Sequence, residues 1–233
     1  MSGSALARLS APRSVALGEL LVHPARYLER SAREREPFAC YSLAAFNHGS
    51  PERLEGCALP SKLTVVQAGD VLMSRAIAEP RRAWVVGEPA GCTPLASAEW
   101  LVLRPNDHDP SYLRHLLVSN EFHLRFQQAA AGTRHASAAS ARLRALGLPS
   151  PPQAQQQAIA RLLDRVDALR AKRRRALSAL DALEAAWHEP AFVRHQEVSE
   201  ALRATMIASR ARLDALLGLL RDQAYRGELT PAS

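Results

Sequence analysis

Three short stretches of this chain place hydrogen-bond donors at the ends of apolar or small-residue runs. Ser74-Arg75 closes the phrase Val66-Gln67-Ala68-Gly69-Asp70-Val71-Leu72-Met73-Ser74-Arg75. Arg81-Arg82 stands in the loop that follows, and Gly132, Thr133, Arg134, His135 and Ser137 lie in a small, polar stretch over 129–140. A hydroxyl beside a guanidinium can bind a phosphate oxygen or the edge of a base. Gly132 would let backbone approach a phosphate closely. Lys62 is grouped with these donors; with Lys172 it is one of only two lysines among 30 basic residues. Arginine brings a bidentate fork to phosphate and guanine that lysine lacks. Each stretch also has a plainer reading. Arg75 can pair with a nearby carboxylate, Arg81-Arg82 can be a solvated charge pair, and 129–140 can be a surface loop without a ligand. The arginine bias itself can reflect genome composition.

The net charge of +7 suits a polyanionic partner. It does not point to a location: 17 basic and 13 acidic groups give +4 over 1–150, and 13 and 10 give +3 over 151–233. Catalytic patterns are missing. There is no G-x-x-x-x-G-K-[ST], G-x-G-x-x-G, G-x-S-x-G, H-E-x-x-H, paired C-x-x-C or amino-methyltransferase N-P-P-[YF] phrase. The 8 histidines are scattered, with His188 and His195 straddling Pro190. No catalysis, metal or cofactor is expected of this chain. Cys40, Cys57 and Cys92 form an odd, widely spaced set that fits neither a disulfide framework nor a zinc site, so a reducing cytoplasm is expected. No apolar segment suggests a signal peptide or a membrane span.

The elements that must carry the donors fall into two halves. Over 38–100, short strands (Phe-Ala-Cys-Tyr-Ser-Leu, Leu-Thr-Val-Val, Asp-Val-Leu-Met-Ser, Ala-Trp-Val-Val) alternate with turn groups at 47–50, 68–70, 79–80 and 87–89. A further strand is predicted over 97–103. Asp109-Pro110 then opens a helix, as N-cap and first helical residue, with a buried stripe of Leu113, Leu116, Leu117, Phe122 and Phe126. Leu143, Leu146 and Leu148 close this half.

The second half is organised by a run free of proline and glycine between Pro152 and Pro190. Ile159, Leu162, Val166, Leu169, Ala176, Leu180, Leu183 and Trp187 alternate in steps of three and four, with Arg173 filling the interrupted place. That is the period of a coiled-coil seam. A helix over 155–189 would be about 50 Å long and needs a partner to cover its stripe. A second helix is predicted over 197–225, with Leu202, Met206, Ser209, Leu213, Leu216 and Leu220 on its stripe and Gly227 as its stop. The short link favours an antiparallel hairpin. In the basic run Lys172-Arg173-Arg174-Arg175, Arg173 falls on the seam, where it sets register or meets a carboxylate.

Several phrases resemble one family. Leu148-Pro149, Pro151-Pro152-x-x-Gln155-Gln156 and Ile159-Ala160 look like the exit from a target recognition domain in the DNA specificity subunits of type I restriction–modification systems, although Gln155 stands where the family usually has glutamate. The 66–75 phrase is similar to the family's "pGDiLisR", 109–113 to the start of its "dpeyLyyyLqs" helix, and 129–140 to its "GstqpnLs" loop. Ala224-Tyr225-Arg226-Gly227-Glu228-Leu229 resembles the "AFRGEL" that ends its spacer helix. The resemblance implies an α/β (α+β) target recognition domain over 1–150, followed over 151–233 by a long antiparallel helical hairpin for spacing, dimerisation and methyltransferase docking.

It further implies that Lys62, Ser74, Arg75, Arg81, Arg82, Gly132, Thr133, Arg134, His135 and Ser137 contact double-stranded DNA. The coiled-coil interface would use Ile159, Leu162, Val166, Leu169, Leu180, Leu183, Leu213, Leu216 and Leu220. The rest of the 172–175 run either faces solvent or reaches DNA beside the rod. The implied partners are a modification subunit that binds S-adenosylmethionine and, in systems that restrict, a translocating nuclease subunit. The family usually carries two recognition domains. With one here, a half-length subunit is expected, and a C2 homodimer would read a two-part, palindromic site. The competing class is a coiled-coil adaptor without a DNA role, which explains the rods but leaves the strand-rich half without a purpose.

Overall fold

The computed structural model describes residues 13–22, 36–55, 63–76, 81–131, 136–186 and 193–229. The turn at Gly69-Asp70 is a good place to see how the sequence builds the fold. Gly69 adopts φ +85°, a conformation that glycine takes at little cost. The Asp70 carboxylate, with no exposed surface, accepts from Gln67 N–H at 3.0 Å and from Nε and a terminal nitrogen of Arg104, both at 2.9 Å. A buried charge so fully paired pins the start of the next strand.

That strand, β5 (Val71–Ser74), is buried at every position. It pairs antiparallel with β6 (Ala83–Val85) and β8 (Trp100–Leu103). Alternation sends Val71 and Met73 towards the helices, while Leu72 joins Tyr41, Val66, Val86 and Trp100 on the other face. Covering that second face are β2 (Pro37–Tyr41), β3 (Glu52–Glu55), β4 (Thr64–Val65) and β7 (Thr93–Ala96), in the order β3-β2-β7-β4 with β2 and β7 parallel. Trp100 Nε1 donates to the Tyr41 carbonyl at 2.9 Å and ties the sheets together. A third pair, β1 (Ser14–Ala16) with β9 (Gly147–Pro149), joins the two ends of this half, with α1 (Leu17–Leu20) following β1. Cys40 and Cys92 are free and buried, and burial pushes the Cys40 thiol up to about 11.

The helix expected after Asp109 is present but divided. In α3 (Pro110–Leu117) the Asp109 carboxylate caps Tyr112 N–H at 2.8 Å, while Ser119 caps a new helix, α4 (Asn120–Ala130), through Phe122 N–H at 3.1 Å. The predicted stripe of Leu113, Leu116, Leu117, Phe122 and Phe126 is buried across both. Three other expectations need correction. The strand predicted over 97–103 is a turn followed by β8, with β7 before it. Part of the apolar run from Phe38 is the helix α2 (Leu43–His48), capped by the Ser42 hydroxyl. The stretch expected to be a loop holds a further helix, α5 (Ala136–Arg144).

Two long helices follow, α6 (Gln153–Ala186) and α7 (Val193–Arg226), and they pair as an antiparallel hairpin. The Pro-Pro-x-x-Gln-Gln phrase starts α6 for a visible reason. The Pro152 carbonyl accepts from Gln155 and Gln156 N–H at 2.9 and 3.1 Å. The buried Gln156 amide accepts from Asp109 N–H at 2.9 Å and donates to the Pro151 carbonyl at 2.8 Å, which fastens α6 to the start of α3. At the other end, Glu228 N–H reaches the Gln223 carbonyl at 2.9 Å and Gly227 N–H the Ala224 carbonyl at 3.2 Å, with Gly227 at φ +74°. This is a Schellman stop, as expected of Gly227. The Tyr225 hydroxyl donates to the Gly147 carbonyl at 2.8 Å.

The seam is broader than a two-stranded coiled coil. Ile159 and Val166 are buried, and Leu180, Leu213 and Leu220 are half-buried. Leu162, Leu169 and Leu216, assigned to the interface from their spacing, are instead 39, 50 and 44 % exposed, and Leu163 and Leu217 are fully buried. The reason is a third surface. The base of the hairpin packs on α3 and α4 as well as on itself, so its inward stripe is turned by one residue at alternate positions, as in a globular core helix. The Leu183 side chain lies outside the described residues. Farther out, polar groups link the helices: Arg170 to Asp214 at 2.5 Å, Arg173 to the Ser209 hydroxyl, and Arg203 to Asp181 at 2.6 Å. Arg173 is on the seam as expected, and the hydroxyl there takes the place of a carboxylate.

Candidate nucleic-acid interface

The β5–β6 hairpin brings two of the predicted donor pairs together. Ser74 N–H donates to the Arg82 carbonyl at 3.0 Å, so Ser74-Arg75 and Arg81-Arg82 lie side by side at the sheet end. Their side chains differ in availability. Ser74 is buried, and its hydroxyl accepts from Ala76 N–H at 3.2 Å, which corrects the expectation of an exposed hydroxyl. Arg75 is exposed; its Nε donates to the Trp100 carbonyl at 3.2 Å, and it forms no ion pair among the described residues. That contact aims the guanidinium and leaves its terminal nitrogens for a ligand.

Arg81 and Arg82 are half-buried, so they are not a solvated pair. Arg81 donates to the Val118 carbonyl at 3.2 Å and the Asn120 side chain at 2.8 Å, bridging the hairpin to the α3–α4 joint. Lys62, Gly132, Thr133, Arg134 and His135 lie outside the described residues. Ser137 falls in α5, and its side chain is likewise outside them.

The sequence-based reading missed a cleft of about 1260 Å³ between the sheet half and the hairpin. One wall is the α2 turn at Asn47, His48 and Gly49; the other is the rod. Six arginines line it (Arg81, Arg114, Arg170, Arg174, Arg175 and Arg221) against one carboxylate, Asp214. The signal for it was partly visible in the 172–175 run. Arg114 and Arg221 are not distinguishable from surface arginines by spacing.

At the inner end of the cleft a charged cluster joins α3, α6 and α7. Asp164 accepts from the Ser111 hydroxyl at 2.7 Å, Arg114 at 2.8 Å and His115 Nε2 at 2.9 Å. Asp167 accepts from Arg221 at 2.9 Å and Arg114 at 3.2 Å. Arg221 Nε donates to His115 Nδ1 at 3.1 Å. A guanidinium only donates, so Nδ1 accepts from Arg221, while Nε2 faces both the Asp164 carboxylate and, at 2.8 Å, the Arg114 guanidinium. Burial above all, with the Arg114 and Arg221 charges, pushes His115 down to about 4 despite the pull of Asp164. Burial likewise lowers Arg221 to about 10. Burial works against the Asp164 and Asp167 carboxylates, but hydrogen bonds and the surrounding cations outweigh it and hold both below the ordinary range. His115 has no exposed surface and both its nitrogens are occupied. The cluster is therefore a clamp between helices rather than acid–base machinery. Among the described residues there is no group of three or more His, Cys, Asp or Glu fit to hold a metal ion, and no helix long and apolar enough to cross a membrane.

No family model and no curated protein matches the chain. Solved structures do. The HsdS subunit from Thermoanaerobacter tengcongensis is similar at TM-score 0.54 and 23 % identity, over 74 % of this chain and 47 % of that one. A chain from a structure of complex assembly and conformational transition in the type I R-M system is similar at TM-score 0.54 and 22 % identity, over 76 % of this chain and 50 % of its own. The chain thus spans about half the length of these neighbours. What is shared at this identity is the fold. It is the mixed α/β domain with a long helical hairpin expected from the sequence, and the neighbours come from the same systems that its phrases resemble.

Proposed function

We propose that this chain is a sequence-specific DNA-binding specificity subunit of a type I restriction–modification complex, reading one half of a two-part site. One observation carries the reading: the fold is that of an HsdS subunit, and the phrases that resemble the family fall where they shape that fold. The 66–75 phrase forms the turn and central strand of a sheet, the Pro-Pro-x-x-Gln-Gln phrase fastens α6 to α3, and the Ala-Tyr-Arg-Gly-Glu-Leu phrase ends α7.

In this reading residues 1–150 are the target recognition domain and 151–233 the spacer and docking region. Arg75 reads the groove from the sheet end, with Arg81 and Arg82 beside it, and Lys62, Gly132, Thr133, Arg134, His135 and Ser137 are further DNA contacts. The chain contributes no catalysis. A modification subunit binds S-adenosylmethionine and methylates, a restriction subunit joins where the system cleaves, and a second copy in a C2 homodimer supplies the other half-site. The apolar residues left exposed on the hairpin, Leu162, Leu169, Leu202 and Leu216, supply contact area for these partners. The complex works in the cytoplasm.

Duplex binding tests the assignment. Replacing a base-reading arginine costs about 1–3 kcal/mol and relaxes specificity at one position. Arg75→Ala and Arg134→Ala should therefore each weaken binding to a selected duplex by roughly 5- to 150-fold. Unchanged affinity and sequence preference in both variants would remove these residues from the site.

A further inference from the structure

The arginines of the cleft do not all have the same freedom. Arg114 and Arg221 are spent on Asp164 and Asp167, and Arg170 on Asp167 and Asp214. Arg174 and Arg175 are exposed on α6, and neither forms an ion pair among the described residues. Arg174 has no hydrogen bond there either, and Arg175 Nε makes only a long 3.4 Å contact to the Ala171 carbonyl of its own helix. These two cations therefore face a concave, arginine-lined space with their charge uncompensated. The rod wall around them is cut back to small residues, Ala171, Ala215 and Gly218, which keeps the space open.

Resting on the DNA-binding reading above, we propose that this cleft grips the sugar-phosphate backbone of the bound duplex and that Arg174 and Arg175 are phosphate contacts. The rod is then part of the DNA-binding surface as well as a spacer. Each of these exposed guanidiniums carries a planar fork that can bind two phosphate oxygens. Arg114, Arg170 and Arg221 are balanced by Asp164, Asp167 and Asp214, and the unpaired charges of Arg174 and Arg175 leave the cleft positive, which draws a polyanion to it. Such contacts carry no base information, so they add affinity uniformly while the sheet end supplies preference.

The test is a salt titration of duplex affinity for the full chain and for Arg174→Ala/Arg175→Ala. Each lost phosphate contact lowers the slope of log K against log salt by about 0.9, so the pair should lower it by about 1.8. Binding at 0.1 M salt should fall by tens of fold, equally for selected and scrambled duplexes. A second variant, Gly218→Glu, adds a carboxylate to the cleft without removing any contact. A Cβ at Gly218 would meet its nearest neighbour, Asn120 Nδ2, at an ordinary 3.6 Å, so this variant should fold as the parent does and bind DNA more weakly. An unchanged slope for Arg174→Ala/Arg175→Ala, or unchanged affinity for Gly218→Glu, overturns the proposal. So does a loss confined to the selected sequence, or unchanged DNA binding with lost capture of the methyltransferase, which would make the cleft a protein-docking surface. If the parent chain binds no duplex at all, it is the DNA-binding reading itself that fails.

Discussion

The base and the far end of the hairpin are built on different principles. At the base, Ile159, Ala160, Leu163, Val166, Leu217, Ala224 and Tyr225 are buried in the same core as Val71, Leu103, Tyr112 and Phe122. Beyond Arg170 and before Leu213, no described residue of either helix is buried, and Leu202 and Ile207 are 48 and 57 % exposed. There the helices are joined by Arg173 with Ser209 and Arg203 with Asp181. The base is held by hydrophobic burial and a paired charge cluster. Farther out, the described residues over 171–182 and 200–212 are linked by polar groups. Two helices of 34 residues each are thus anchored through a buried base. The buried base fixes the direction of the rod.

The contrast can be broken most sharply at Leu163. Leu163→Ala should cost about 2–5 kcal/mol, because a fully buried leucine leaves a cavity as well as losing its transfer free energy. Leu180→Ala, half-buried on the same helix, should cost at most about 1 kcal/mol. Urea unfolding monitored by circular dichroism compares the two, and equal costs would erase the distinction.

Acid should be the next largest perturbation, and it should act at the base. His115 sits at about 4 in the folded chain against an ordinary 6.5. The unfolded chain therefore takes up a proton that the buried imidazole refuses, so stability is complete above pH 6.5 and falls as pH drops towards 4. At 1.36 kcal/mol per pH unit the loss between pH 7 and 4.5 is about 2–3 kcal/mol. Asp164 and Asp167, held low, add a further loss as pH falls below the ordinary carboxylate range. His115→Gln, which keeps a donor for Asp164 and an acceptor for Arg221, should flatten the profile between pH 7 and 4.5 in the same unfolding assay.

The smallest effect belongs to the outer part of the described hairpin. Arg203→Ala removes a link to Asp181, whose side chain is 65 % exposed, and should change stability by no more than about 0.5 kcal/mol. A loss above about 2 kcal/mol in calorimetry would show that the far end carries more of the fold than its burial indicates.

How much of this was legible follows from the same physics. Local chemistry could be read: the Gly69-Asp70 turn, the Asp109-Pro110 helix start, the Pro-Pro-x-x-Gln-Gln entrance to α6 and the Gly227 stop each depend on residues close in sequence. The β3 strand was missed because Glu52, Arg53 and Glu55 give an edge strand the look of a charged loop. The α5 helix was missed because Ala and Ser over 136–141 suggest flexibility, although alanine is the best helix former. The seam was misplaced at alternate positions because spacing alone does not reveal that α3 and α4 form a third wall. The clamp was hidden for the same reason. Asp164 and Asp167 follow Leu163 and Val166 as solvent-facing residues would, and only the packing of α3 turns them inward.

The central claim is that the sheet half reads sequence while the hairpin sets its placement. Selection from a pool of random duplexes, using the purified chain with its methyltransferase, tests this most directly. The account predicts enrichment of a two-part motif with palindromic halves at a fixed separation. A pool that stays flat while the chain remains folded would contradict it.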